Sequence, residues 1–183
     1  MIFEHALSLI LEMEGGYSNH PSDIGKATNK GITQGRYDEY RQSKGLPVQD
    51  VRMILDSEVS DIYREIWDKA GCNNLPDRLA IVHFDCAVQR GEIKAGKMLQ
   101  DLTGVKPVDG IIGTKSIDII KLCGNESLIY NYFDARKNRY ILRTKELPSQ
   151  IDFINGWRNR LNHLAREIES KWEWKDNDKE EKV

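Results

Sequence analysis

The sequence predicts an all-α protein, and three observations support this fold class. Apolar residues recur at intervals of three and four along most of the 183-residue chain, as on the buried faces of helices. No segment shows the strict two-residue alternation of a half-buried strand. Glycine and proline residues separate the periodic segments, as expected where helices end. At most, the sequence allows a small hairpin in the loop 17–33.

The individual helices follow from this pattern. The first is predicted from the apolar residues between Ile2 and Met13, and Gly15 with Gly16 ends it. Residues 17–33 lack helical periodicity and exceed an ordinary connection in length, which is typical of a functional loop. Seven further helices are predicted at about 34–44, 48–70, 79–88, 94–102, 115–122, 126–142 and 152–172. The third of these seven is apolar on almost every face, which indicates a central buried helix.

Composition and charge restrict the class of function. With 31% charged and 39% hydrophobic residues, the chain has the composition of a soluble globular protein, and its net charge of −2 argues against a strongly basic nucleic-acid binder. No stretch reaches the roughly 20 apolar residues that span a bilayer, and the acidic start is unlike a secretory signal. We therefore expect synthesis in the cytoplasm without a signal peptide. The three cysteines, Cys72, Cys86 and Cys123, lack metal-ligand spacing and are expected to be free thiols.

Two carboxylic residues near the first helix form the most informative pattern. Glu14 stands at the end of an apolar helix and directly before the Gly-Gly break. A carboxyl group there is partly desolvated and lies at the negative end of the helix dipole, and both effects favour its protonated form. Asp23, nine residues further in a polar loop, is expected to stay solvated and ionised. Glycoside hydrolysis requires two carboxyl groups in such contrasting environments.

The predicted buried helix carries polar groups of its own. His83 and Cys86 lie three residues apart, and on an apolar helix we expect a hydrogen-bonded histidine and a packed thiol rather than a nucleophilic pair. Asp85 needs a partner if it is buried, and the sequence offers both Arg160 and Arg90.

A set of motifs along the chain resembles one known family. Their residues are Glu14-Gly15-Gly16-Tyr17, Asp23-x-Gly25, Thr28-Asn29-x-Gly31-Ile32-Thr33, Phe84-Asp85-x-Ala87-Val88, Ala95-x-x-Met98-Leu99-Gln100, Asp109-Gly110-x-x-Gly113 and Gly156-Trp157-x-x-Arg160. Over roughly residues 5–170 they resemble glycoside hydrolase family 108, the lysozyme-like N-acetylmuramidases of phages and bacteria that carry a peptidoglycan-binding segment. Some members of that family are known as secretion activator proteins.

The resemblance implies an organisation and an activity. It implies a catalytic lysozyme-like part at 1–90 and a helical peptidoglycan-binding part at 91–172 packed on it as one globule. The tail 173–183 is expected to be frayed on its own composition, because it has five acidic residues, three lysines and no apolar stripe after Trp174. The implied reaction is hydrolysis of the β-1,4 bond between N-acetylmuramic acid and N-acetylglucosamine, with no metal or organic cofactor. The implied partner is bacterial peptidoglycan, with no nucleic acid and no membrane insertion. We expect a monomer that acts on the cell wall, in the periplasm or outside the cell.

The resemblance also implies catalytic roles. Glu14 would be the general acid, and Asp23 with Thr28 or Thr33 would position the attacking water, so that the configuration inverts. Inversion and retention differ in the separation of the two carboxyl groups, and the sequence leaves both open. An alternative use of Asp23 is to cap the turn 22–25.

Substrate-binding roles follow in the same way. Tyr17, Asn19 and Asn29 would line the sugar subsites, because saccharides bind flat aromatic faces and amide groups. Loop architecture is the competing explanation for these three residues.

Two other functions compete with the muramidase. The first is a peptidoglycan-binding or secretion-related module without catalysis. The second is a helical nucleic-acid binder, because residues 136–171 contain nine basic against four acidic residues, with Tyr140 and Trp157 among them. Such a segment also fits a solvated helix face or a surface for peptidoglycan, whose stem peptides are anionic.

Overall fold

The structure is a computed structural model that describes residues 2–18 and 27–175. Its α-helices are α1 (Ile2–Met13), α2 (Gln34–Ser43), α3 (Asp56–Lys69), α4 (Asp77–Arg90), α5 (Glu92–Thr103), α6 (Thr114–Leu122), α7 (Asn125–Glu146) and α8 (Ile154–Glu167). Short 3-10 helices lie at Val51–Met53, Cys72–Asn74 and Pro148–Phe153. Strands β1 (Thr28–Asn29) and β2 (Ile32–Thr33) form a two-stranded antiparallel sheet. The predicted all-α, lysozyme-like fold with a small hairpin is confirmed.

The chain divides into two compact units, residues 1–68 and 69–183. In the second unit α4 packs on α5 and α7, and its residues from Leu79 to Ala87 are all buried. This explains why the sequence of α4 is apolar on almost every face. The predicted boundary at 90/91 therefore falls inside the second unit. None of the helices in the described ranges is long and apolar enough to cross a membrane.

In the first unit, α1 buries one face and α3 supplies an aromatic partner for it. Phe3 of α1 meets Trp67 of α3 edge to face, with ring centroids 5.6 Å apart. The guanidinium of Arg64 lies 3.4 Å from the centroid of the Phe3 ring and also pairs with Glu4 at 2.8 Å. These contacts fix the orientation of α1, which ends at the candidate site.

The predicted helix 48–70 is shorter in the structure and begins at Asp56. The Glu58 side chain accepts the backbone N–H of Leu55 at 3.1 Å, a capping contact that fixes the start of α3. Leu55, which the periodicity placed on the apolar stripe, is 61% exposed. The prediction was wrong here because the apolar period continues through a 3-10 helix that is not part of α3.

The predicted helix 152–172 also ends early, at Glu167. Glu169 adopts a left-handed conformation (φ 55°), and the N–H of Ser170 bonds to the carbonyl of Ala165 at 2.8 Å, as in a Schellman motif. The chain then continues without helix to Trp174, which is only 2% exposed. The predicted frayed tail 173–183 thus starts inside a docked segment, and its residues 176–183 lie outside the described residues.

The core of the second unit contains the polar groups that the sequence placed on α4. His83 is fully buried and bonds to the Tyr132 hydroxyl at 2.7 Å and to the carbonyl of Ala70 at 3.1 Å. The expected hydrogen-bonded histidine is therefore confirmed. Cys86 is a buried free thiol.

Asp85 is also fully buried, and it binds two arginines. Arg160 reaches it at 2.7–2.8 Å, and Arg136 forms a second short ion pair. Of the two partners that the sequence offered, Arg160 is used, and Arg136 replaces Arg90. Burial raises the pKa of Asp85, but Arg136 and Arg160 outweigh it and hold the pKa below its ordinary value.

Candidate active site

Glu14 is held at the end of α1. Its backbone N–H donates to the carbonyl of Ile10 at 2.9 Å, so the helical hydrogen-bond pattern continues to this residue. Two glycines follow, and the chain then pairs with the hairpin, because Ser18 and Thr28 exchange two backbone hydrogen bonds of 2.8 Å. The Gly-Gly break therefore turns the chain from α1 onto β1, with the half-buried Glu14 at the junction.

The turn of the hairpin lies against the Glu14 side chain. Lys30 and Gly31 both have positive φ (51° and 76°), as in the type I′ turns that match the twist of two-residue hairpins. A Cβ atom at Gly31 would lie 3.0 Å from Cγ and Cδ of Glu14 and 2.5 Å from the Tyr63 hydroxyl oxygen. That hydroxyl donates to the carbonyl of Lys30 at 2.9 Å. Only glycine fits between the hairpin, the carboxyl group and the tyrosine.

Hydrogen bonds join the hairpin and the start of α2 to the segment before α3. The Asn29 amide donates to the carbonyl of Val51 at 3.1 Å. The Gln34 side chain accepts the Val51 N–H at 2.7 Å and donates to the carbonyl of Gln49 at 2.8 Å. These bonds leave the hairpin little freedom to move away from Glu14.

The two threonines of the predicted site differ in their surroundings. Thr33 is the N-cap of α2, and its hydroxyl accepts the N–H of Arg36 at 3.3 Å. Thr28 is half-buried at the base of the hairpin, where its backbone pairs with Ser18. The hydroxyl of Thr33 therefore has an architectural role as the cap of α2.

Tyr17 presents an aromatic face beside a cation. Its side chain is 41% exposed, and the guanidinium carbon of Arg52 lies 5.3 Å from the ring centroid. Arg52 in turn donates two hydrogen bonds, of 3.0 and 2.6 Å, to the carboxylate of Asp50. These hydrogen bonds from Arg52 hold the pKa of Asp50 below its ordinary value. An aromatic ring held by a fixed cation is a suitable platform for a sugar ring.

A buried ion pair ties α2 to α3, the helix that carries Tyr63. Glu58 accepts hydrogen bonds of 2.6 Å from both the Tyr37 hydroxyl and Arg41. Burial raises the pKa of Glu58, but these donors and the N–H of Leu55 outweigh it and hold the pKa below its ordinary value. The network satisfies each buried charge and so fixes the scaffold behind the hairpin.

The structure describes five of the sequence-predicted site residues: Glu14, Tyr17, Thr28, Asn29 and Thr33. All five belong to the first unit. The Asn29 side chain holds the hairpin and the Thr33 side chain caps α2. For Asn29, loop architecture was the alternative that the sequence left open. The other two predicted residues, Asp23 and Asn19, lie outside the described residues.

Two residues of this neighbourhood were not predicted as site residues. Tyr63 was assigned only to the apolar stripe of α3, where its spacing indicates burial but gives no sign of its hydroxyl bond to the hairpin. Arg52 carried no signal at all, because its contact with Tyr17 joins two segments that lie far apart in the sequence.

Comparisons with known proteins identify both halves of the chain. Residues 7–91 match the family model described as glycosyl hydrolase 108, and residues 94–162 match that of a predicted peptidoglycan domain. Among 11 matching solved chains is SagA of Brucella abortus, with 31% identity and a TM-score of 0.76, over 91% of this chain and 92% of that one. No curated protein matches.

The fold and the two matched regions define a lysozyme-like protein with a peptidoglycan-related role, hydrolytic or binding. The chain belongs to glycoside hydrolase family 108, with a peptidoglycan-binding segment after the hydrolase segment. The resemblance drawn from the motifs is thereby confirmed.

Proposed function

We propose that this protein is an N-acetylmuramidase, which hydrolyses the β-1,4 bond between N-acetylmuramic acid and N-acetylglucosamine of peptidoglycan, with Glu14 as the general acid. The observation that carries the proposal is the placement of the Glu14 side chain against the Gly31 turn, at the end of a rigid helix. A proton donor must be held in reach of the glycosidic oxygen, and this packing restricts the carboxyl group to a narrow position.

Asp23 is proposed to orient the attacking water together with Thr28. The basis is the position of Asp23 in the sequence, since it lies midway between Ser18 and Thr28, the residues that pair at the base of the hairpin. Thr28 pairs directly with Ser18 at this base, whereas the hydroxyl of Thr33 caps α2. Tyr17 is proposed to stack against a sugar ring, with Arg52 fixing its orientation.

The test of the proposal is Glu14→Gln, measured by turbidity loss of purified cell walls. The change is isosteric and removes only the proton donor, so the fold should persist while lysis falls by roughly 10²-fold or more. Glu12→Gln makes the same change at an exposed position on the same helix and should leave lysis unchanged. Retention of more than about a tenth of the activity by Glu14→Gln would refute Glu14 as the general acid.

Mass spectrometry of the released muropeptides identifies the bond. Muramic acid at the reducing end supports the muramidase, whereas glucosamine at the reducing end would mean that the other glycosidic bond is cut. A second candidate function, a binding or secretion-related module without catalysis, is favoured by the match of residues 94–162 to a peptidoglycan domain. Wall binding without any released muropeptide would support that alternative.

A further inference from the structure

The second unit contains a pocket of about 370 Å³ that the proposed catalytic chemistry does not use. It is formed by residues near the end of α4 and the start of α5, by α7, by the 3-10 helix Pro148–Phe153 and by α8. Its lining contains four cationic residues, two aromatic residues and two glutamines. The cations are Arg90, Lys94, Arg139 and Arg143, and the aromatic residues are Tyr140 and Trp157. None of these lining residues is acidic, so the pocket selects for an anion.

The positive charge of the pocket is only partly compensated by its neighbours. Arg139 pairs with the carboxylate of Glu146 at 3.3 Å, whereas Arg143 donates a hydrogen bond of 3.2 Å to the neutral side-chain amide of Gln150. The buried carboxylate of Asp85 forms ion pairs with Arg136 and Arg160, neither of which lines the pocket. The lining therefore keeps an excess of positive charge that an anionic ligand would balance.

Two buried donors of the pocket lack a hydrogen-bond partner among the described residues. They are the hydroxyl of Tyr140, whose side chain is only 7% exposed, and one terminal nitrogen (Nη1) of Arg90. Buried polar groups almost always find a partner, because an unpaired one costs free energy. Both residues line the pocket, so a ligand with acceptor oxygens would satisfy them where the protein does not.

An aromatic ladder forms one wall and extends to the surface. The Tyr140 ring stacks on Trp157, with ring centroids 4.7 Å apart, and on the buried Trp174, with ring centroids 6.5 Å apart. Trp157 in turn stacks on the exposed Phe153 at 6.1 Å. The ladder holds Tyr140 rigidly and offers a flat surface beside the cations, which suits a ligand that joins carboxylates to apolar or saccharide parts.

We propose that this pocket binds the free carboxylates of a peptidoglycan stem peptide, with Arg90, Arg143 and the Tyr140 hydroxyl as donors and Trp157 against the adjoining apolar part. The choice of peptidoglycan rests on the proposed function. The pocket itself favours a small carboxylate ligand over a nucleic acid, because its charge is confined to one concave site rather than spread along a strip that could follow a phosphate backbone.

The test uses a synthetic muramyl tripeptide with free carboxylates and its fully amidated counterpart, with affinities measured by calorimetry at low salt. We expect the free acid to bind at least about tenfold more tightly than the amide and to weaken as salt is added. Arg143→Gln should weaken binding about tenfold. Lys145→Gln, which removes the same charge from an exposed site on the same helix outside the pocket, should have no effect. Equal affinity for acid and amide, or equal effects of the two variants, would overturn the proposal.

Tyr140→Phe separates recognition from folding. The variant removes only the unpartnered hydroxyl, so its melting temperature should be no lower than that of the wild type, while affinity for the free acid falls several-fold. Unchanged affinity would remove Tyr140 from the site. Competition by a single-stranded oligonucleotide at the same salt, with loss of that binding in Arg143→Gln, would assign the pocket to nucleic acid and overturn the proposal.

Hydrolysis of glycan strands stripped of their stem peptides distinguishes this proposal from the catalytic one. The wild type should cut such strands, because they keep the glycosidic bond of the catalytic proposal and lack the stem-peptide carboxylates that the pocket is proposed to bind. Carboxylate-dependent binding by a wild-type protein that releases no muropeptides would refute the catalytic proposal and support the pocket. Normal muropeptide release without carboxylate-dependent binding would refute the pocket proposal and support the catalytic one.

Discussion

Gly31 lies so close to Glu14 that a side-chain carbon at position 31 would stand 3.0 Å from the Glu14 Cγ and Cδ atoms. The contact joins residues that are far apart in sequence and connects a helix end to a hairpin turn. Two features therefore favour glycine at position 31. A side chain would collide with Glu14, and the backbone there has a φ of +76°, which other residues rarely adopt. The position of the Glu14 carboxyl group therefore depends on the conformation of the hairpin turn.

Gly31→Ala tests this relationship. The added methyl group collides with the Glu14 side chain and the Tyr63 hydroxyl, and the alanine backbone must adopt an unfavourable positive φ. We therefore expect a loss of roughly 1–3 kcal/mol in the free energy of unfolding. Wall lysis should fall further than the unfolded fraction explains, because the carboxyl group is displaced. Urea titration and turbidity assays measure the two effects.

Gly35→Ala is the matched control for that variant. Gly35 lies on α2, and a Cβ atom there meets no other atom within 4 Å. Alanine should therefore stabilise the helix by up to about 1 kcal/mol and leave lysis unchanged. Similar effects of the two alanine variants would contradict the assigned role of Gly31.

Asp23→Asn separates catalysis from turn architecture. If Asp23 orients the water, the variant should bind cell walls normally but turn over much more slowly, and Asp23→Glu should also fail because the longer side chain misplaces the water. Normal turnover with asparagine would instead indicate a turn-capping residue, because asparagine and aspartate serve such turns about equally. Proton NMR of a fresh digest supplies the stereochemistry, and we expect the α-anomer first.

His83 is expected to make stability depend on pH. The pKa of His83 is lowered from 6.5 to about 4, mainly by burial; the hydrogen bond to the Ala70 carbonyl opposes this change, and the charge of Arg136 adds to it. The unfolded chain thus binds a proton below about pH 6.5 while the folded protein does not, so stability is complete above that pH and falls by about 3 kcal/mol towards pH 4. Urea titrations between pH 7 and pH 4.5 measure the loss.

NMR supplies the direct check on His83. Its imidazole should remain neutral, with Nδ1 accepting the Tyr132 hydroxyl hydrogen, at pH values where a solvated histidine is already protonated. The variant His83→Gln, if it folds, should have a flatter dependence of unfolding free energy on pH. A protonated His83 in the folded protein at pH 5.5 would exclude this source of the dependence.

Trp174→Ala probes the segment after α8. The indole of Trp174 is buried, and the backbone N–H and carbonyl of this residue form hydrogen bonds of 2.7 and 3.0 Å with the Asn162 side chain. We expect a loss of about 3–5 kcal/mol in the free energy of unfolding, as for other buried tryptophans. Leu122→Ala, at an apolar residue that is 86% exposed, should change stability by less than about 0.5 kcal/mol. A small effect of Trp174→Ala would mean that the segment contributes little.

Local signals in the sequence were enough for the class of fold and part of the site. Apolar spacing and glycine breaks predicted the helices, and placed Glu14 at the end of the first one. The motif around Gly31 also predicted the family. These properties depend on residues within a few positions of each other, where periodicity and turn preference are informative. The ends of α3 and α8 were less predictable because capping contacts and a left-handed residue, rather than periodicity, decide them.

The sequence by itself determined the helical fold class, the carboxylic residue at a helix end and the family. The tertiary structure alone decided that Gly31 lies against both the Glu14 side chain and the Tyr63 hydroxyl, that Arg136 rather than Arg90 joins Asp85, and that the basic segment contributes to a pocket. The physical reason is that these pairings join residues tens of positions apart. Which side chains meet at that distance depends on how helices pack and which buried charges must be balanced, and neither is encoded in local spacing.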